Sequence, residues 1–331
     1  MKKILFISVL FLMACQPREQ VTVQVAGSWN IGDTKTYRVT IERTDSHRGE
    51  TEHWQINRHK VTITIIDSTD DYYIIDWHNH DFEFYSNDVD WMNVMRKNLT
   101  DGNYIIRTNR LGTFEKLVNW EEIRERAFEN HERVKQMRKS NAKYADLLDY
   151  LDYLDSFYAH LNEMFSKQEV IEARWIDEVR QFFMFHGGQF NLGRRNRTTS
   201  IVQQPNIWGF ELVDATRSIW IEEIDAENET FLVRMHQKSN PRQLLNATIR
   251  TFQHNLELEM RPLIERGEET EEELKEYLSW LANMNTRFRY EIEINSTIHN
   301  SGWLIHSVQT QEVFENRRRT RLNTFTIELQ Q

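Results

Sequence analysis

Apolar and polar residues alternate with a period of two over both ends of this chain, and a stretch of helical period separates them. From about residue 29 to 118, Tyr37, Val39 and Ile41 alternate with polar partners. The runs Val61-Thr62-Ile63-Thr64-Ile65-Ile66 and Tyr72-Tyr73-Ile74-Ile75-Asp76-Trp77 flank the polar segment Asp67-Ser68-Thr69-Asp70-Asp71. Such a strand, turn and strand predict a hairpin. Tyr104-Ile105-Ile106 and Gly112-Thr113-Phe114 extend the meander.

The period then changes. Ile123, Ala127, Val134 and Met137 recur at helical spacing, and Leu147, Leu148, Leu151, Leu154, Tyr158, Leu161 and Phe165 form one stripe. Asn119 stands three residues before Glu122, and Ser166 three before Glu169, so both pairs predict a helix start with a back-reaching carboxylate. His186-Gly187-Gly188 predicts a helix end, because glycine takes the left-handed cap at little cost.

The last region returns to strands. Ile219-Trp220-Ile221 and Phe231 to Met235 flank the turn Asp225 to Glu229. Asn240 and Pro241 open a helix with Leu245, Ile249, Phe252 and Leu256 on one stripe, disturbed near Pro262 and ending by Gly267. Thr270 and Glu273 cap another, carrying Leu274, Leu278 and Leu281. Strands over 288–298, 303–314 and 322–329 close the chain. Runs of strands separated by runs of helices predict an α+β fold, with antiparallel β-meanders packed with long amphipathic helices. The expected divisions are 29–118 as a β-rich region, 119–188 as a helical region and 189–331 as hairpin, helix pair and C-terminal meander, with 29–331 forming one domain or more. No fixed-period repeat joins the two β regions.

The first 28 residues differ from all this. Lys2 and Lys3 precede an apolar run from Ile4 to Ala14 broken only by Ser8. That run is far shorter than the roughly 20 residues needed to span a bilayer. It ends in Leu12-Met13-Ala14-Cys15, which resembles the lipobox of bacterial lipoproteins. The resemblance implies that 1–14 is a signal peptide, that Cys15 is lipidated and carries palmitate-type acyl chains, and that 15–28 is a tether. Several acyl chains, at about 0.8 kcal/mol per buried methylene, anchor stably where one is marginal. Gln16 rather than Asp follows the cysteine, and Gln16 to Gln20 lacks an acidic pair. For this class the two features imply an outer-membrane lipoprotein facing the periplasm.

Composition narrows the function. Cys15 is the single cysteine among 331 residues, so no intramolecular disulfide exists. The net charge is −10, and loss of Lys2 and Lys3 with the signal makes the mature chain two units more acidic. An acidic surface repels phosphate backbones, which argues against a nucleic-acid partner.

The chemistry-bearing patterns are few. Asp76, His78 and His80 would share one strand face and are the candidate metal ligands. The string resembles part of the metallo-β-lactamase motif, but Asp81 follows His80 directly and no glycine-rich loop precedes it. The expectation is no metal and no cofactor. His186-Gly187-Gly188 resembles the oxyanion loop of lipases, yet no Gly-x-Ser-x-Gly elbow exists to use it. Arg317, Arg318, Arg319 and Arg321 form the one dense basic run. It reads as a hairpin turn or as a clamp for a phosphate, lipid headgroup or acidic partner. The function expected from the sequence is a non-catalytic envelope lipoprotein, held to the membrane through its lipid and binding an apolar ligand or a protein partner. Sheet-plus-helix clefts of this kind resemble those of periplasmic lipoprotein carriers, although no motif of that family is present. The alternatives are a periplasmic hydrolase with dispersed carboxylates or a His78/His80 metal site, and a structural subunit of an envelope assembly.

Overall fold

The computed structural model describes residues 21–89, 92, 102–139, 148–174, 176–208 and 211–330. Residues 1–14, Cys15 and Leu147 lie outside the described residues. Strands β1 (Thr22–Gln24), β2 (Thr34–His47), β3 (Glu50–Ser68), β4 (Tyr72–Ser86), β5 (Gly102–Asn109) and β6 (Phe114–Leu117) come first. Helices α1 (Trp120–Lys139), α2 (Leu148–Met164), α3 (Gln168–Arg174) and α4 (Asp177–Phe183) follow. Then come β7 (Gln189–Asn191), β8 (Thr198–Pro205), β9 (Leu212–Asp225) and β10 (Thr230–Ser239), with α5 (Pro241–Glu265) and α6 (Glu271–Ala282) after them. Strands β11 (Phe288–His299), β12 (Leu304–Glu315) and β13 (Arg318–Leu329) close the chain.

The two β regions that alternation predicts are one antiparallel sheet. Its strand order is β6-β5-β4-β3-β2-β13-β12-β11-β10-β9-β8, so the first long strand and the last meet in the middle. Tyr37, Val39 and Ile41 lie opposite Leu329, Ile327 and Phe325. Pairing of this kind joins residues almost the whole chain apart, and no local pattern announces it.

One sheet face is covered and is called the inner face. Helix α4 lies against it, with Val179 and Phe182 buried and the Phe182 ring meeting Tyr37 and Trp77 edge-on at 5.5 Å each. Trp29 packs beside Tyr73, Phe183, His186 and Trp303. Burying aromatics of this size supplies much of a core's stability. Towards the other end of the face, Leu244 of α5 joins Phe288, Tyr290 and Val313 in a second apolar cluster. Helix α1 packs on α2, α2 on α5 and α5 on α6.

Several local expectations change. Within the stretch 15–28 expected as a tether, Val23 pairs with Phe190 in the β1–β7 ladder and Val25 is buried, as is Trp29 just after it. Their apolar side chains gain more inside than in a solvated linker. Asn119 does not cap α1 with its side chain. Its Oδ1 accepts from Ile105 N of β5, and Glu122 reaches its Nδ2 rather than its backbone. Ser166 donates to the Glu163 carbonyl instead of capping α3. The box at Thr270 and Glu273 is complete, and Asn240 Oδ1 accepts from Arg242 N and Gln243 N. Gly187 takes a φ of 82°, where a Cβ would also strike Thr113 Oγ1.

Candidate functional site

Residues paired across antiparallel strands share a face, so the register gives the inner face row by row. Val39, Ile327, Ser307, Ser296, Val233 and Ile221 form one transverse row. Ile41, Phe325, Gln309, Ile294, Met235 and Ile219 form the next. Two residues further along the strands, about 7 Å away, the row becomes Arg43, Asn323, Gln311, Ile292, Gln237 and Arg217. The inner face therefore turns from apolar to polar at this level on β2, β13, β10 and β9, while β12 is polar at all three levels and β11 keeps Ile292. On β3 and β4 the inner face turns polar in earlier rows, with Asn79 opposite Val61, His59 opposite Val39 and Asn57 opposite Ile41.

Helix α4 separates two cavities over this polar level. Asp177, Arg180, Gln181 and Met184, spaced as one helical face, line a cavity of about 260 Å³ together with the polar row and Arg321. Glu178 points to the other side. There it lines a cavity of about 480 Å³ with His59, Asn57, Phe82, Tyr104 and Arg126. Gln181 anchors the partition, its Nε2 donating to Ser307 Oγ at 2.8 Å and to the Phe325 carbonyl at 3.2 Å.

The first cavity carries four arginines and one carboxylate, Asp177. Arg43 and Arg321 share the carboxylate of Asp45, at 2.8 and 2.6 Å. Burial alone would raise the Asp45 carboxyl, but its bonds to Arg321 and Arg43 outweigh burial and hold it below its ordinary value. Arg217 donates from Nε to Gln237 Oε1 at 2.7 Å. Gln237 donates to Gln204, Gln204 to Ser239 Oγ, and Ser239 to the Tyr290 carbonyl. Arg180 donates to the Ala173 carbonyl at 3.1 Å. Burial, and then the charge of Arg180, push Arg217 below the usual guanidinium range. Among the described residues, Gln181 Oε1 and Asn323 Oδ1 are buried without a hydrogen-bond partner.

In the second cavity, burial pushes the Glu178 carboxyl up to about 7, with a smaller push from Asp177. Burial, helped by His80, holds the His59 imidazole down at about 4. Both His59 ring nitrogens and Asn57 Oδ1 are buried without a partner among the described residues. Buried polar atoms are rarely left unpaired without a reason.

The residues singled out from sequence fall elsewhere. Asp76, His78 and His80 do share one face of β4, but it is the face opposite Trp77 and Asn79. The two imidazoles stack at 5.4 Å. His78 Nδ1 meets Asn103 Oδ1 at 2.6 Å, and His80 Nε2 meets Thr62 Oγ1 at 3.0 Å. Asp81 bulges out with a φ of 56° and pairs with Lys60. No group of three or more His, Cys, Asp or Glu placed to hold a metal ion occurs among the described residues. The arginine run is divided. Asn316 and Arg317 make the turn with φ of 48° and 72°, Arg318 is exposed, Arg319 pairs with Glu312 at 2.9 Å, and Arg321 alone reaches the cavity. The backbone amides of Gly187 and Gly188 donate to Val25 and Phe185 carbonyls, so the lipase-like loop offers no oxyanion hole.

Sequence reasoning missed Arg43, Arg180, Arg217, Gln237, Gln311 and Asn323. A signal was present in the inward frame, where Val233 and Met235 give way to Gln237. Reading it as a site needs the other strands beside it.

No protein family matches the chain, and no curated protein sequence does. Lipovitellin, solved for its lipid–protein interactions, superposes with a TM-score of 0.35 at 8% identity, over 92% of this chain and 26% of its own. The chain thus spans about a quarter of that protein's length. A putative exported protein with a YmcC-like fold from Bacteroides fragilis gives 0.23 at 7% identity, over 93% of this chain and all of its own. At these values neither likeness carries an argument about function. No helix among the described residues is long and apolar enough to cross a membrane.

Proposed function

We propose that this chain is a lipid-anchored, non-catalytic binding protein of the bacterial envelope, and that it holds its ligand between the α4 partition, the helices and the inner face of the sheet. The observation that carries the reading is the level at which the inner face turns polar while remaining covered. A covered polar surface costs free energy unless its groups are paired. Gln181, Asn323, Asn57 and His59 keep unpaired atoms there, which a bound molecule would satisfy. The expected apolar ligand is supported by Ile41, Phe82, Tyr104 and Ile123 on the second cavity's wall. In this reading the long helices act as an amphipathic cover. The lipobox at Leu12 to Cys15 supplies the anchor, facing the periplasm from the outer membrane.

Two measurements test this. Labelled palmitate should enter the wild-type chain and not Cys15→Ala; equal labelling of both sinks the anchor. Native mass spectrometry of the purified protein should retain a small molecule. A bare protein that pulls down one envelope protein would favour the structural-subunit reading instead. A hydrolase is the second reading, favoured by one observation: Glu178 and Glu129 line the same cavity, with Glu178 titrating near neutrality. It predicts turnover abolished by Glu178→Gln.

A further inference from the structure

Cations drawn partly out of water without anions are expensive, and this protein half-buries two in one place, Arg180 and Arg217. The chain carries a net charge of −10, yet the wall of the first cavity is locally cationic. Asp45 pairs with both Arg43 and Arg321. Among the described residues neither Arg180 nor Arg217 forms an ion pair with a carboxylate, although Asp177 stands on the same wall. Two like charges sharing a partly buried cavity repel and lose hydration, a cost that the observed hydrogen bonds to neutral oxygens offset only in part.

The arrangement is also built. The relay Arg217, Gln237, Gln204, Ser239 and the Tyr290 carbonyl fixes the guanidinium through Nε alone. Among the described residues its terminal nitrogens have no hydrogen-bond partner, so the two-pronged edge that matches an oxyanion stays unused. Arg180 likewise spends one terminal nitrogen on the Ala173 carbonyl. Gln181 is 1% exposed, and its free Oε1 belongs to a side chain on the same cavity wall. An acceptor of this kind fits a hydroxyl beside the anion. An apolar molecule would satisfy none of these groups.

We infer that the Arg180–Arg217 end of the first cavity binds an oxyanion, the phosphate or carboxylate of a small hydroxylated molecule or the phosphate of a lipid headgroup. The inference rests on the binding-protein reading above and names the chemistry of its ligand. The cavity, at about 260 Å³, takes one small ring or a headgroup rather than a polymer.

Calorimetry on the full chain tests it, with inorganic phosphate, glucuronate and dioctanoyl phosphatidic acid as probes. Saturable binding of phosphate or glucuronate supports a soluble ligand; binding of phosphatidic acid alone supports a headgroup. In either case Arg217→Gln and Arg180→Gln should each weaken binding about ten- to a hundredfold. Arg217→Lys should recover little, because an ammonium lacks the fork. Arg180→Gln is the variant that keeps its fold, since it breaks one bond to a backbone carbonyl, and a thermal melt checks this. Absence of binding by all three probes, or wild-type affinity in both glutamine variants, overturns the oxyanion site. If native mass spectrometry then retains a neutral molecule, the binding reading stands without it. A bare protein with no probe bound overturns both.

Discussion

The inner face of one sheet holds two regions that differ in almost everything but their strands. At one end Tyr37 and Trp77 meet Phe182 edge-on, and they and their neighbours Ile63 and Ile75 are at 1% exposure or less. Between that end and the cluster under α5, Arg43, Asn323, Gln311, Gln237 and Arg217 line one cavity. The backbone is equally well hydrogen-bonded in both regions, since the ladders run through both. What differs is where free energy is gained. The apolar end gains it on folding; the polar region gives some of it up, with part left to be recovered on binding. Binding regions commonly sit on a rigid scaffold that stabilises them in this way.

The largest effect expected from this contrast is at its apolar end. Trp77→Ala should cost about 3–5 kcal/mol, as truncation of a buried large aromatic does. Urea unfolding reads it, and a loss below about 1 kcal/mol would mean that the cover over this end is loose.

The next effect comes from the boundary, where Glu178 is 8% exposed. Its carboxyl is raised in the folded state from 4.5 to about 7, so the folded state binds the proton more tightly. Stability from this group is full below pH 4.5 and is lost as pH rises to about 7, by about 3 kcal/mol. Glu178→Gln should therefore stabilise the protein at pH 8 and change little at pH 4. His59 and His186 work in the opposite sense, because burial holds both down at about 4. Their contribution is present above pH 6.5 and is lost as pH falls towards 4. Unfolding curves from pH 4 to 8 separate the two signs. An equal effect of the glutamine variant at both ends of that range would falsify the buried, neutral Glu178.

The smallest effect sharpens the contrast most. Gln311→Leu removes a polar side chain from the middle of the polar row and adds apolar area of similar size. Stability should stay within about 1 kcal/mol or rise, while probe binding weakens. A loss of 2 kcal/mol or more would show that the row is a structural network rather than a surface kept for a ligand.

The strands and their inward frames were readable along the chain because alternation is a local property. Tyr37, Val39 and Ile41 announce β2, and Thr270 with Glu273 announces α6 by a contact three residues long. Asn119 and Ser166 misled for the same reason. The cap pattern was there, but Ile105 N and the Glu163 carbonyl, set by tertiary packing, took those side chains first. The arginine run was visible as four neighbours, yet the strand pleat and the turn at Arg317 sent them in different directions, and Arg321 alone met the cavity.

By itself the sequence determined the antiparallel meanders, the helical stretches between them and the acidic balance, since each depends on composition or on residues close together in the chain. Only the tertiary structure decided that β2 pairs with β13, that the two β regions are one sheet, and that Arg43, Arg180, Arg217 and Asn323 share a cavity. These residues come from distant segments, and nothing in any one segment encodes its neighbours in the sheet. A side chain's row is a property of register, and register is settled by how the whole inner face packs against α4 and the helices above it.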